Sequence, residues 1–223
     1  MTPPKGRARP PYFSLLVLAV ILAVAVGVLW RVAPTPGPDK PTITSSGTAD
    51  IGGPFHLTDD TGRSVTEKTF AGKYMLVYFG YTYCPDTCPT DLTLMSRAMD
   101  MLGKDAARVQ PLFITIDPKR DTVQEMADYV SHFGPSLIGL TGTPEEIAAV
   151  AKAYRVYYQK VERPTDGNGG DEGNGSDGDY LMNHSSFIYL MGPDGAYLDN
   201  FAPGTTPKEI ADRIRGFIQG DAK

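Results

Sequence analysis

Two nearly continuous apolar runs predict buried strands. Residues 74–79 (YMLVYF) and 109–116 (VQPLFITI) are rich in β-branched and aromatic side chains and show little polar alternation. Strands with this pattern are buried on both faces, as at the centre of an α/β sheet. Between them, apolar side chains recur at helical spacing over residues 89–102. The pattern therefore predicts a strand–helix–strand unit.

Three later helices are predicted from threonine–glutamate pairs. In each T-x-x-E pair the Thr oxygen can accept from a free first-turn N–H, and the Glu can bond back. The pairs are Thr122–Glu125, Thr143–Glu146 and Thr206–Glu209. Further strands are predicted at 55–58, 137–140, 156–161, 187–191 and 196–201, and the turn Pro193-Asp194-Gly195 joins the last two as a hairpin. This order predicts an α/β fold with a mixed sheet flanked by helices.

An uncharged stretch near the N-terminus predicts a membrane anchor. Tyr12–Trp30 has 19 residues without a charge, about 28 Å as a helix and close to the hydrocarbon thickness. Three basic residues precede it, so residues 1–11 are expected to be a cytoplasmic tail. A cleaved signal peptide is the alternative, but the apolar run continues past residues 23–25 to an interfacial tryptophan. A Pro-rich linker follows at 31–49, and then a folded domain at 50–219.

Charge is distributed unevenly along the chain. The net charge of −5 combines +4 in the first 31 residues, −4 in residues 163–179 and −5 elsewhere. Segment 163–179 is rich in Gly and Asp and has no apolar residue except Pro164, so a solvated, mobile loop is expected. Its acids lack the spacing and final Glu of a calcium-binding EF-hand. The acidic balance argues against a nucleic-acid partner.

The only two cysteines follow the first buried strand directly. They exclude an iron–sulfur site with four thiolates and a zinc-finger array. Cys84 and Cys88 are four residues apart where a helix is predicted to begin, so their sulfurs can meet in a disulfide or hold one ion. A helix N-terminus also favours the thiolate. A disulfide that closes so short a loop stabilises little, which favours metal or redox chemistry over a structural disulfide.

A third ligand was sought among the three histidines, because soft thiolates select Cu(I) and imidazole suits copper in both oxidation states. His56 and His132 are expected at the surface. His184 lies just before the penultimate strand, at a position that faces the cysteine turn in a thioredoxin-like sheet. Met182 remains a weak candidate ligand, and Asp117 either faces the same pocket or caps a turn. The helix methionines are expected in the core: Met95, Met99 and Met101.

The chain resembles the SCO/SenC family of membrane-anchored copper proteins with a thioredoxin-like fold. The resemblance covers about residues 52–217 and is carried by specific motifs. These are YFGYTYCPDTCP at 78–89, IDPKRDT at 116–122, GLTGT at 139–143, AYRVYY at 153–158, HSS at 184–186 and PDG at 193–195. It implies one copper ion per domain, as Cu(I) or Cu(II), held by Cys84, Cys88 and His184.

The resemblance also implies a role and partners. The role is a metallochaperone that delivers copper to the dinuclear centre of cytochrome c oxidase subunit II, with another copper chaperone and a thioredoxin-like reductant as candidate further partners. Because no mitochondrial targeting segment is recognised before the predicted anchor, a bacterial inner membrane with a periplasmic domain is expected rather than a mitochondrial inner membrane. Two departures from the family pattern are Asn183, where Asp is common, and the length of segment 163–179.

A thiol–disulfide oxidoreductase that keeps the partner's cysteines reduced is the alternative. Cys84 would attack a partner disulfide and Cys88 would resolve the mixed disulfide. The three-residue spacing differs from the two residues usual in thioredoxins, and Ser185-Ser186 stands where those enzymes have a proline. Both features favour metal binding over enzymatic redox work. A peroxidase is disfavoured, since Tyr81 stands where the reactive cysteine would need a threonine three residues earlier.

Overall fold

The computed structural model describes residues 22–23, 50–162 and 180–220. The chain divides into two compact units, Met1–Gly47 and Thr48–Lys223. In the first unit only Leu22 and Ala23 are described, and they are helical. The predicted anchor otherwise lies outside the described residues, as do the basic tail, the linker and segment 163–179. Within the described ranges, no helix is long and apolar enough to cross a membrane.

A seven-stranded mixed sheet forms the centre of the second unit. Its strands are β1 (His56–Asp59), β2 (Ser64–Thr66), β3 (Tyr74–Gly80), β4 (Val109–Thr115), β5 (Ile138–Thr141), β8 (Ile188–Met191) and β9 (Tyr197–Phe201), in the spatial order β2-β1-β5-β4-β3-β8-β9. β3 pairs in parallel with β4 and antiparallel with β8. Every residue of β3 is buried, which confirms the prediction from its apolar run.

Four α-helices accompany the sheet. They are α1 (Thr87–Leu102), α2 (Val123–Val130), α3 (Pro144–Ala153) and α4 (Pro207–Gly220), with short 3₁₀ turns at Glu67–Phe70, Gly103–Arg108 and Ser131–Phe133. α1 packs against α4, and α2 packs on β5. In α1, Met95 and Met99 are buried as predicted, whereas the prediction for Met101 is wrong because its side chain is 49% exposed.

The predicted helix caps are confirmed at two of the three sites. Reciprocal bonds join Thr143 to Glu146 and Thr206 to Glu209. At α2 the Thr122 oxygen accepts from the Glu125 N–H, but the Thr122 N–H donates to the Arg120 carbonyl at 3.0 Å. The box there is half formed, because the turn before α2 takes the donor that the glutamate would have bound.

A separate two-stranded sheet carries His184, the predicted ligand histidine. β6 (Tyr158–Glu162) pairs antiparallel with β7 (Tyr180–His184), and Tyr158 lies opposite His184. The strand predicted at 156–161 is shifted by two residues at its start. β7 was not predicted, because its five residues end in polar Asn and His and follow a long polar segment. His184 is thus the last residue of a strand.

Candidate metal centre

The turn between β3 and α1 places both cysteines at the start of a helix. Cys88 lies in the first turn of α1 and is fully buried, whereas Cys84 lies in the preceding turn and is half-buried. The helix predicted to begin at the cysteines thus starts between them, so Cys88 lies in the helix and Cys84 before it. The Cys88 N–H points at the Cys84 Sγ at 3.4 Å. The Cys84 sulfur thus caps an N–H that has no helical partner, and the two cysteines are not joined by a disulfide.

The Nε2 atom of His184 faces the cysteines, and the contact of the other ring nitrogen defines the tautomer. Its Nδ1 lies 3.1 Å from the Ser185 carbonyl oxygen, which can only accept, so Nδ1 carries the proton. The lone pair is then on Nε2, which lies 3.5 Å from the Cys88 Sγ. The ligand atoms of Cys84, Cys88 and His184 all lie within 4.8 Å of one another. The structure therefore brings together the three residues that the sequence singled out.

Two tyrosine rings fix the orientation of the imidazole. The rings of Tyr78 and Tyr81 lie 6.2 and 6.1 Å from the His184 ring, at interplanar angles of 76° and 87°. The Tyr81 hydroxyl also accepts a hydrogen bond of 3.2 Å from the backbone N–H of Met182. The residue that begins the cysteine turn is thus bound to the strand that carries His184. Neither tyrosine was identified as a site residue from the sequence.

The two cysteines have very different pKa values. A hydrogen bond from the Cys88 thiol lowers the pKa of Cys84 to about 4 against the opposing effect of burial, and the backbone N–H groups of Cys88 and Asp86 add to it. The same hydrogen bond, together with burial, raises the pKa of Cys88. At neutral pH, Cys84 is therefore the thiolate and Cys88 the thiol.

A buried acid lies on the same helix face as Cys88. Asp91 is three residues further along α1 and only 6% exposed. Burial raises the pKa of its carboxyl, while the Tyr78 hydroxyl acts in the opposite direction. Sequence reasoning missed this residue. The available signal was an acid on the apolar face of a predicted helix, three positions from a candidate ligand.

The remaining candidates from the sequence lie outside the group of three. His56 bonds to Glu146 at 3.0 Å and to Ser64 at 2.8 Å on the surface. The exposed His132 contacts a backbone carbonyl of its own helix end, so both histidines are where they were expected. The Asp117 carboxylate pairs with Arg120 at 2.5 Å and accepts from the Tyr180 hydroxyl at 2.7 Å, so in the described residues it neither joins the Cys–Cys–His group nor caps the turn, which is closed by its backbone carbonyl. Met182 lines a neighbouring cavity of about 190 Å³ with Asp117.

Gly80 at the end of β3 leaves room for a ligand sulfur. A Cβ added at this position would lie 2.8 Å from the Cys88 Sγ and 2.8 Å from the Phe113 ring. Real Cβ atoms do not approach so closely, and Phe113 is fully buried. Any larger side chain would therefore displace the Cys88 sulfur or the core ring behind it. The glycine of the motif is explained by this close approach.

Comparison with known proteins identifies the family of this α/β domain with its Cys–Cys–His group. The SCO1/SenC family model matches residues 43–219. The chain is 48% identical over 171 residues to the mitochondrial SCO1 homolog 1 of Arabidopsis thaliana, covering 76% of this chain and 48% of that protein. It thus spans about half the length of this relative. The chain belongs to the SCO1/SenC family.

Solved structures of relatives agree with the fold. The structure of Arabidopsis thaliana ScoI with copper bound has a TM-score of 0.68 at 42% identity, covering 76% of this chain and 99% of that one. Bradyrhizobium japonicum ScoI with copper bound has a TM-score of 0.65 at 47% identity, covering 75% and 99%. The thioredoxin-like α/β fold predicted for the domain is confirmed.

Proposed function

We propose that this protein is a copper carrier that binds one copper ion through Cys84, Cys88 and His184. The observation that carries the proposal is the convergence of two sulfurs and one imidazole nitrogen within 4.8 Å, contributed by two separate segments of the chain. Thiolate donors select Cu(I), and imidazole binds copper in either oxidation state. Relatives of similar sequence and fold have been solved with copper bound, which supports the same cargo here.

The donor set suits transfer as well as binding. Three protein ligands leave room for a ligand from a partner, so copper can pass by ligand exchange without release into solution. Cys84 is half-buried and already a thiolate, whereas Cys88 is fully buried and must lose its proton when copper binds. We infer that incoming ligands approach from the Cys84 and His184 side, the part of the site that reaches solvent.

The proposed recipient is the dinuclear copper centre of cytochrome c oxidase subunit II. We further propose that Tyr12–Trp30 anchors the domain on the periplasmic side of a bacterial inner membrane, which would hold the carrier next to a membrane-bound recipient. The support is the uncharged length of this stretch and the basic residues before it. Sedimentation of the full chain with membranes after alkaline washing is the expected result, and its recovery in the supernatant would contradict the anchor.

Transfer to subunit II is the test of the proposed role. The copper-loaded chain is mixed under anaerobic conditions with the metal-free copper domain of subunit II, and the products are separated and assayed for metal. We expect copper to appear in subunit II together with the absorption of its dinuclear centre. If copper stays on the donor, or moves only when a competing chelator removes it first, the delivery role is wrong even where copper binding is real.

A thiol–disulfide oxidoreductase is the second candidate function, favoured by the asymmetry of the two cysteines. The Cys84 thiolate is the more accessible and would attack a disulfide of the partner, releasing one partner thiolate and forming a mixed disulfide. Cys88 would then lose its proton, attack Cys84 and release the second partner thiolate. The cysteine pair would be oxidised by two electrons and the partner reduced by two.

The low pKa of Cys84 predicts how its alkylation rate depends on pH. Because its pKa is lowered to about 4, the thiolate is present above that pH and is lost as the pH falls through it. Alkylation of the metal-free chain by iodoacetamide, followed by peptide mass analysis, should therefore proceed at Cys84 at a nearly constant rate between pH 6 and pH 8. An ordinary thiol would slow about tenfold per unit over the lower part of this range, below its pKa near 8.5. Such slowing would contradict the thiolate assignment, and Cys88 serves as the internal comparison.

A further inference from the structure

The sheet that carries His184 is not hydrogen-bonded to the sheet that leads into the cysteines. In the described residues, β6 and β7 pair only with each other, whereas β3 belongs to the seven-stranded sheet. At its C-terminal end, β7 is tied to the main sheet through the three residues that lead from His184 to β8. At its other end, Tyr180 pairs with Glu162 of β6, but in the described residues neither of these strands is paired with the seven-stranded sheet. Side-chain contacts must therefore hold that end of the strand against the cysteine turn.

Arg120 provides these contacts from the loop after β4. Its guanidinium lies 3.6 Å from the ring centroid of Tyr180 on β7 and 4.7 Å from that of Tyr83 in the cysteine turn. Its Nη1 donates to the Tyr180 carbonyl at 3.0 Å, and its Nε donates to Asp117 at 2.5 Å. The Arg120 side chain is only 11% exposed. One planar cation thus joins the cysteine turn, the loop after β4 and β7.

Two acidic residues of the loop after β4 form hydrogen bonds to β7 and to the cysteine turn. The Asp117 carboxylate, paired with Arg120, also accepts from the Tyr180 hydroxyl at 2.7 Å. Asp121, which is fully buried, accepts from the Thr82 hydroxyl at 2.6 Å and from the Thr82 N–H at 3.1 Å. The loop after β4 is therefore bonded on one side to β7 and on the other to the residue two positions before Cys84.

We propose that Arg120 is a positioning residue that holds β7, and with it His184, in register with the two cysteines. The inference rests on the copper-carrier function proposed above. Arginine suits this role because its flat guanidinium stacks on aromatic rings and donates in its plane at the same time. A lysine would keep the charge and lose both the stacking and the second hydrogen bond. We call Asp117, Arg120, Tyr180 and Tyr83 the Arg120 clamp.

The matched control is a similar arrangement away from the site. Arg213 on α4 pairs with Asp199 and lies 4.6 Å from the ring centroid of Phe201. Replacing it removes the same kinds of contact without touching the cysteine turn or β7. The variants are Arg120→Gln, Arg120→Lys and Tyr180→Phe, with Arg213→Gln as the control. Tyr180→Phe keeps the ring beside Arg120 and removes the hydroxyl that bonds to Asp117, so it serves if the Arg120 variants fold poorly.

Two readouts on the full chain test the clamp. Competition with a Cu(I) chelator gives the copper dissociation constant, and the NMR signals of the His184 imidazole in the metal-free chain report its surroundings. We expect Arg120→Gln to weaken copper binding about 10–100-fold, as loss of the contacts behind a ligand does in other metal sites. Arg120→Lys should not restore the affinity, and Tyr180→Phe should have a smaller effect. The His184 signals should shift and broaden in both Arg120 variants and remain unchanged in Arg213→Gln.

The outcomes separate this inference from the proposed function. If wild-type chain binds no copper, the carrier function fails, and the His184 signals alone decide whether the clamp positions the ring. If the Arg120 variants keep wild-type His184 signals and wild-type copper affinity, the clamp does not position the histidine. An equal loss of affinity in Arg213→Gln, or full rescue by Arg120→Lys, would also overturn the proposal, because either would point to general stability or charge.

Discussion

Replacing Cys88 by serine is expected to abolish stoichiometric copper binding. The Cys88 sulfur is fully buried and lies 3.5 Å from the His184 Nε2, and no further Cys, His, Asp or Glu of the described residues joins its group with Cys84 and His184. A serine hydroxyl fits the space, but it is a hard, neutral oxygen donor and does not replace a soft thiolate. The measurement is copper bound per chain after gel filtration in the presence of a weak chelator.

Folding of the Cys88→Ser variant must be checked alongside its copper content. Serine is nearly isosteric with cysteine, so circular dichroism and the thermal midpoint should remain close to those of the wild-type chain. A second effect is expected in the metal-free variant. Because the Cys88 thiol is the main cause of the lowered Cys84 pKa, the Cys84 pKa should rise. Retention of one tightly bound copper per chain in a folded Cys88→Ser variant would contradict the assignment.

Replacing His184 by alanine should separate the two candidate functions. Loss of one of three ligands should weaken copper binding by more than the roughly 10–100-fold that loss of a supporting contact costs. Disulfide reduction depends on the sulfurs of Cys84 and Cys88, so it should persist within a few fold. A copper carrier therefore loses oxidase assembly with this variant, whereas a pure oxidoreductase retains it.

The control for His184→Ala is His132→Ala. His132 is exposed and contacts only a backbone carbonyl of its own helix end in the described structure, so its loss should change neither copper affinity nor disulfide reduction. The assays are copper affinity, reduction of a model disulfide and assembly of active oxidase in cells. If His184→Ala binds copper as tightly as His132→Ala does, His184 is not a ligand.

Strands and helices could be predicted from the sequence where a single local interaction, such as burial or helix capping, determines the structure of the segment. The apolar run of β3 can only be buried, and in all three T-x-x-E pairs the Thr oxygen accepts from a free first-turn N–H, although the reciprocal glutamate bond is missing at Thr122. β2 and β7 were missed for the opposite reason. Each is short and mixed in polarity, and each depends on pairing with a partner strand, β2 with β1 across a four-residue turn and β7 with β6. Met101 was misplaced because helical spacing does not tell where the face of α1 ends.

The three residues of the candidate metal centre could be anticipated from the sequence, but the contacts that support them could not. The Cys84–Cys88 spacing at a strand-to-helix turn indicated soft-metal or redox chemistry, and the family motifs added His184. The clamp around Arg120 depends on contacts between three segments that are distant in sequence, such as the hydrogen bond from Tyr180 to Asp117. Nothing in the spacing of these residues shows that they meet. Asp91 is similar, since its burial beside the site depends on how α1 packs.

Copper titration of the reduced full chain tests the central claim most directly. Under anaerobic conditions with a competing Cu(I) chelator, the wild-type chain should bind one copper ion and then saturate, and the Cu(II) form should show absorption from thiolate-to-copper charge transfer. The chain with both cysteines replaced by serine should show neither. Absence of tight binding by the wild-type chain, or equal binding by the chain without cysteines, would contradict the account.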